Sequence, residues 1–175
     1  LKIAYLVSKY PAVSHTFILQ EIQALRARGH EIGTFSVRKA KPTDIIDAVA
    51  AEEARNTRYL LPANVPAYLI AFLWAFGTRP LRSIACFLTA IATFDISFWQ
   101  RLRWCYYYFE AVLLAYWLVR DRFDQLHCHF GNNGSNTAWL AARIAGVPFS
   151  LTLHGIDIDE PEKFRLPQKI AEARF

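Results

Sequence analysis

Apolar positions along the chain fall into two patterns, short continuous runs and longer stretches at helical spacing, and their order predicts repeated strand-helix-strand units. Residues 2–8, KIAYLVS, form a near-continuous apolar run of the kind found in a parallel strand covered on both faces. A turn at 10–14 follows. Ile18, Ile22 and Leu25 then recur at helical spacing within 16–28, and Gly29 stands where helices commonly stop. Residues 31–37 predict a second strand. The same order returns in QLHCHF, GNNGSN, TAWLAARIA and FSLTLH: a strand at 125–130, a turn, a helix closed by Gly146 and Pro148, and a strand at 149–154.

Between these units the pattern changes. Residues 39–44 form a charged, Pro-containing connection, and 44–56 predict a helix that is polar on one side. Residues 65–119 are dense in aromatic and aliphatic side chains in three segments, VPAYLIAFLWAFG, LRSIACFLTAIATF and FWQRLRWCYYYFEAVLLAYWLV. A membrane-spanning helix needs about 20 consecutive, mostly apolar residues. The longest uncharged stretch, 59–78, is broken by Pro62, Asn64, Pro66 and Gly77, so no span is predicted. Two readings stand for this region. It forms core helices over the sheet, or it forms an interfacial surface with Trp74, Trp99, Trp104, Tyr106, Tyr107, Tyr108 and Trp117 as anchors and Arg79, Arg82, Arg101 and Arg103 meeting anionic lipid.

The predicted class is therefore α/β: a Rossmann-like three-layer domain with a parallel sheet, plus an aromatic-rich helical segment at about 65–120. A chain of 175 residues is one domain's worth. It starts inside a strand, lacks Met, and stops where a helix would hand over to a strand, which reads as a piece of a longer protein. The cysteines, Cys86, Cys105 and Cys128, are odd in number and unpaired in spacing, which suits a reducing, cytoplasmic compartment. His127 and His129 flank Cys128 and invite a metal reading. On a strand, however, only the two histidines share a face and no second ligand pair is near in sequence, so no metal or other cofactor is predicted. The net charge of +5 suggests an anionic partner. Nucleic acid is not favoured, because no basic run interleaves with aromatics; a sugar nucleotide, a lipid pyrophosphate or an anionic membrane surface suits the sign.

Candidate chemistry lies at the predicted strand ends, where open α/β sheets bind ligands. Ser14, His15 and Thr16 stand at a helix N-terminus, where they bind an anion or merely cap the helix. The absence of GxGxxG and GxxxxGK[ST] argues against dinucleotide and P-loop enzymes. Gly131, Asn132, Asn133, Gly134 and Ser135 offer close backbone approach with mixed donors and acceptors, as a sugar requires, or form an ordinary turn. His154 follows a strand, precedes Gly155, and is followed by Asp157 and Asp159 in a loop converging on the first; it is the leading candidate for chemistry.

The opening KIAYLVSKYPAVSHTFILQEIQALRARGHEI, the segment LHCHFGNNGSNTAWLAARIAGVPFSLTLHGIDI and the closing LPQKIAEARF resemble, in order and spacing, the N-terminal half of retaining "group 1" glycosyltransferases of GT-B fold. The nearest are those of exopolysaccharide and colanic-acid type. The resemblance implies two facing Rossmann-like domains with the acceptor held chiefly by this one. It implies His154 and Gly155 near the transferred sugar and diphosphate, Pro11, Ser14, His15 and Thr16 near phosphates and acceptor, and His129, Phe130 and Gly131 at the cleft edge. It also implies a nucleotide-sugar donor bound mainly by a C-terminal domain that these residues do not include, and a lipid-linked glycan acceptor at the inner face of the plasma membrane. Ala12-Val13 replaces the paired glycines of many relatives, and His15 replaces the Glu of the nearest. Two other readings remain: a membrane-associated module binding a glycan or protein without catalysis, and half of a sugar-nucleotide epimerase. Fold does not separate them.

Overall fold

The computed structural model describes residues 1–62, 65–92, 97–158 and 165–174. Strand β1 (Lys2–Lys9) sits at the centre of a parallel sheet because its apolar residues must be buried on both faces. It pairs with β2 (Glu31–Arg38) on one side, Leu6 opposite Phe35, and with β4 (Gln125–His129) on the other, Leu6 opposite Cys128. Strands β3 (Arg58–Leu61) and β5 (Phe149–Thr152) add at the edges, giving the order β3-β2-β1-β4-β5. The chain moves outward from β1 through β2 to β3, then returns to β1's other side at β4. This reversal makes the β1/β4 boundary the topological switch point.

Strand alternation divides the core. Ala4, Leu6, Phe35, Leu126 and Cys128 face helices α5 (Phe98–Arg120) and α6 (Asn133–Ala145), where Ala111, Ala115, Ala138 and Ala141 pack at the centre. Tyr5, Val7 and Ile32 face Ile18 and Ile22 of α1 (Thr16–Ala27). Helix α2 (Ala48–Asn56) joins that side through an ion pair between Arg26 and Glu53. On the opposite side α3 (Val65–Thr78) and α4 (Pro80–Ile91) pack outside α5, and α7 (Leu166–Glu172) closes the chain near β5. The result is the three-layer Rossmann-like architecture that the strand pattern predicts.

Local chemistry sets the helix ends. Ser97 and Gln100 form a reciprocal capping box at the start of α5. Asp47 caps α2, accepting from the Ala50 N–H at 2.7 Å, so this helix starts at Ala48 and not at 44; Pro42–Asp44 is a separate 3-10 turn. Gly146 ends α6 at φ +69°, a left-handed position suited to glycine. Two expectations shift. The four-residue strand β3 lies between the helix predicted at 44–56 and the apolar region at 65–119, where the sequence predicts no element, and the GNNGSN "turn" is already helical from Asn133 onward.

The aromatic region divides between the two readings. Trp104 and Tyr108 are buried in the core, so they are not surface anchors, and α5 is fully buried through Ala111–Ala115. Leu73, Leu81 and Trp99, by contrast, are 76%, 81% and 70% exposed. Among the described residues, no helix is long and apolar enough to cross a membrane.

This division predicts opposite outcomes for two leucines. Leu113→Ala, in the buried part of α5, costs about 2–5 kcal/mol, whereas Leu73→Ala on the outer face of α3 stays within about 0.5 kcal/mol. Urea unfolding of both variants checks this; equal losses would contradict the assignment of α5 to the core and α3 to the surface.

Candidate functional site at the switch point

The C-terminal ends of β1 and β4 meet the start of α6 in close contact. The Ser8 hydroxyl donates to Asn132 Oδ1 at 2.8 Å, and the Gly134 N–H lies 3.1 Å from both Ser8 Oγ and Asn132 Oδ1. A Cβ on Gly134 would stand 2.6 Å from Ser8 Oγ and 3.2 Å from the Ser8 backbone nitrogen, so glycine is what lets the helix start against the strand. Asn132 is thus the N-cap of α6, its side-chain oxygen committed to the backbone. Asn133 accepts from the Tyr107 hydroxyl at 2.8 Å.

Beside this junction, on the α5 side, lies a cavity of about 840 Å³. Ser8, Asn132, Asn133 and Gly134 form its floor, and Lys9, Arg38, Lys39, Lys41 and Arg103 bring positive charge to its walls. Lys9 is paired with Asp44 at 3.1 Å. Glu110, the acid among the lining residues, is buried and accepts from the Thr137 hydroxyl at 2.7 Å; burial raises its carboxyl above the usual range. The N-terminus of α6 also points its positive dipole end this way. A second, apolar recess of about 410 Å³ between α3 and α5 shares Leu61, Tyr106 and Glu110 with the cavity and adds Tyr68, Leu102, Cys105 and Phe109.

On the opposite, α1 side the sequence-predicted residues gather as an aromatic and imidazole cluster. Phe130 adopts φ +70°, a strained position for a bulky side chain, and its ring packs 4.5 Å from His154 and 5.0 Å from His15. Phe17 contacts His129 and His154 at 5.7 and 5.2 Å, and His129 stacks on His154 at 5.9 Å. Burial lowers the basicity of His127, to about 4, and of His129 and His15. His15 also bonds the Lys9 carbonyl through Nδ1 at 3.2 Å.

The loop 130–133 therefore separates two halves, Phe130 turned to the imidazoles and Asn132 and Asn133 to the basic cavity. Several predicted residues take supporting places. Asp157 is buried and accepts from the His154 N–H at 2.9 Å, holding the turn that follows β5. Gly155 is exposed on that turn, and His154 lies beyond the strand and not at its last residue. Pro11 is buried at the end of β1, while Ser14 and Thr16 are exposed. Helix α1 begins at Thr16 with His15 in the N-cap position and no side-chain cap, so neither Ser14 nor Thr16 serves as the cap that the sequence favours. Asp159 lies outside the described residues.

Six contributors were not legible as site residues. Arg38, Lys39 and Lys41 read as part of a charged connection; their role arises because β2 ends beside β1. Glu110 sits in an aromatic helix and Glu21 in an ordinary amphipathic one. Lys169 of α7 is fully buried, donating to the Gly131 carbonyl at 3.0 Å and to Ser135 Oγ, and so clamps the loop 130–135 from below. Burial pulls its ammonium down to about 7.

No protein-family model and no curated protein matches the chain. Among solved structures it is similar to the glycosyltransferase VinC in complex with DTDP, at 17% identity and a TM-score of 0.45, over 97% of this chain. It spans 39% of the length of that protein, and the likeness concerns the fold alone.

Lys169 gives a signed pH dependence. In the unfolded chain the amine keeps its proton to its ordinary value near 10.5, whereas in the fold it releases it near 7, so stability rises with pH through that window. Below about 7 the cost of burying the charge is present in full. Relative to Lys169→Met, the wild type should gain on the order of 3 kcal/mol between pH 7 and 9.5 in denaturant unfolding; a pH-independent difference would contradict a buried, readily deprotonated amine.

Proposed function

We propose that this chain is the acceptor-side domain of a retaining glycosyltransferase that moves a sugar from a nucleotide-diphosphate donor to a lipid-linked glycan in polysaccharide assembly. One observation carries the acceptor: the cation-lined cavity at the switch point shares three lining residues, Leu61, Tyr106 and Glu110, with the apolar recess between α3 and α5. A pyrophosphate needs several cations and backbone N–H groups near one another. A prenyl chain needs an apolar trough leading away from them. The cavity supplies the cations and the recess between α3 and α5 the apolar walls, which supports the reading, and the recess shares helices with the exposed Leu73 and Trp99, a surface suited to a membrane face.

The donor nucleotide would be held by a second domain facing this edge. In that arrangement His154 lies on the opposite side of the loop 130–133 from the acceptor phosphates, backed by Phe130 and fixed through Asp157. Its role is to orient the transferred sugar and to stabilise charge on the departing diphosphate. Positioning and electrostatics are the large contributions where no protein nucleophile is placed. Pro11, Ser14, His15, Thr16, His129, Gly131 and Gly155 border that half.

Two measurements test the reading. The chain should bind farnesyl pyrophosphate more tightly than inorganic pyrophosphate, and Arg103→Ala or Lys39→Ala should each weaken binding about tenfold, the effect of losing one charge-assisted hydrogen bond. Calorimetric titration decides; equal affinity for farnesol, or indifference to both substitutions, would remove the cavity from the acceptor site. In the full-length enzyme, His154→Ala should cut turnover by about 100-fold or more while shifting the unfolding midpoint little. Unchanged turnover would take His154 out of the site.

A further inference from the structure

His15, His127, His129 and His154, four of the five histidines in the chain, meet on the α1 face of the sheet. Two of them are joined by a carboxylate. His127 and His129 alternate along β4 and so share a face, and Glu21 reaches them from α1, more than 100 residues away in sequence, which is why no third ligand is visible in the sequence alone. The donor atoms of the three residues lie within 4.8 Å of one another. A tetrahedral ion with bonds of about 2.0–2.1 Å holds its donors roughly 3.4 Å apart. Glu21 Oε2 and His129 Nε2 already stand at 3.4 Å. The remaining contraction is open to Glu21, whose side chain is 40% exposed at a helix surface.

A second observation points independently to a ligand. His129 is 1% exposed; among the described residues its Nδ1 has no hydrogen-bond partner, and its Nε2 has the Glu21 carboxylate at 3.4 Å without hydrogen-bond geometry. A buried imidazole left in this state costs free energy unless something satisfies it. The surrounding groups are arranged as outer partners of metal ligands are. The Tyr5 hydroxyl donates to Glu21 Oε1 at 2.6 Å and leaves Oε2 free to coordinate. Ser150 Oγ, which accepts from Gln125 Nε2 at 2.8 Å, lies 2.8 Å from His127 Nδ1; in the tautomer whose Nδ1–H donates to it, the lone pair of Nε2 is left for a metal, and the Nε2 contact with Thr152 is long at 3.3 Å.

We propose that Glu21, His127 and His129 bind a borderline transition-metal dication of the Zn²⁺ class. Two imidazoles and one carboxylate suit zinc, cobalt or nickel and not magnesium or calcium, which prefer all-oxygen sites. Three protein ligands leave a coordination position open, and the half-exposed Glu21 provides the entry path. The ion ties α1 to β4 and fixes the ring of His129 against His154. The inference uses only the α1 face and stands apart from the acceptor reading.

The test is titration of the chelator-treated chain with Co²⁺, read by visible d–d absorption, followed by displacement with Zn²⁺. One Co²⁺ per chain is expected, with Glu21→Gln and His129→Gln each weakening binding about tenfold or more and His30→Gln, which lies outside the cluster, binding as wild type. Glu21→Gln decides the outcome if the buried His129 variant does not fold, which far-UV circular dichroism would reveal. Absence of d–d bands in the wild type would overturn the proposal and leave Glu21 and His129 as a carboxylate–imidazole pair. Wild-type affinity in Glu21→Gln would overturn it equally.

Discussion

The site depends on how closely α6 begins against the end of β1. Ser8, Asn132 and Gly134 make that junction, and the absence of a side chain at Gly134 sets its distance. Because β4 delivers the chain to α6 on the far side of β1 from β2, the junction falls at the switch point of the sheet. The ends of β1, β2 and β4, the N-terminus of α6 and the flank of α5 then converge by topology, and the basic cavity is the space left between them. Lys169 supports the same loop from α7, so residues 130–135 are held from two directions.

Strand alternation then gives the two sides of the site different chemistry. On β4, Leu126 and Cys128 point into the core with α5 and α6, and His127 and His129 point to α1. Charge collects on one side, where β2 ends at Arg38 and Lys39 follows it, and weakly basic imidazoles on the other. A loop whose first residue is strained to φ +70° stands between them. In the proposed function, ligand phosphates and the reacting sugar are handled by separate groups on these two sides.

Much of this was legible in the chain because local signals agreed with the fold. The run at 2–8, the helix ending at Gly29 and the helix closed by Gly146 carry periodicity and terminal residues that point the same way. What was not legible depends on contacts distant in sequence. The strand at Arg58–Leu61 has four residues and exists by pairing with β2, and Glu21 gains meaning only opposite β4. The asparagines of GNNGSN read as turn formers, and the same side-chain oxygens that form turns also cap helices; Asn132 takes the second role. The aromatic helices were ambiguous for a different reason. A helix that is apolar on nearly all sides does not reveal from composition which of its faces is covered.

In the proposed function the cavity beside Ser8 and Asn132 holds the phosphates of a lipid-borne acceptor. The most direct measurement is a crystal structure of the chain with a short-chain prenyl pyrophosphate. Phosphate density among Lys9, Arg38 and Arg103, with the prenyl chain running along Tyr68 and Phe109, is the predicted result. Density instead against His15, Phe130 and His154, with the basic cavity filled only by water, would contradict it.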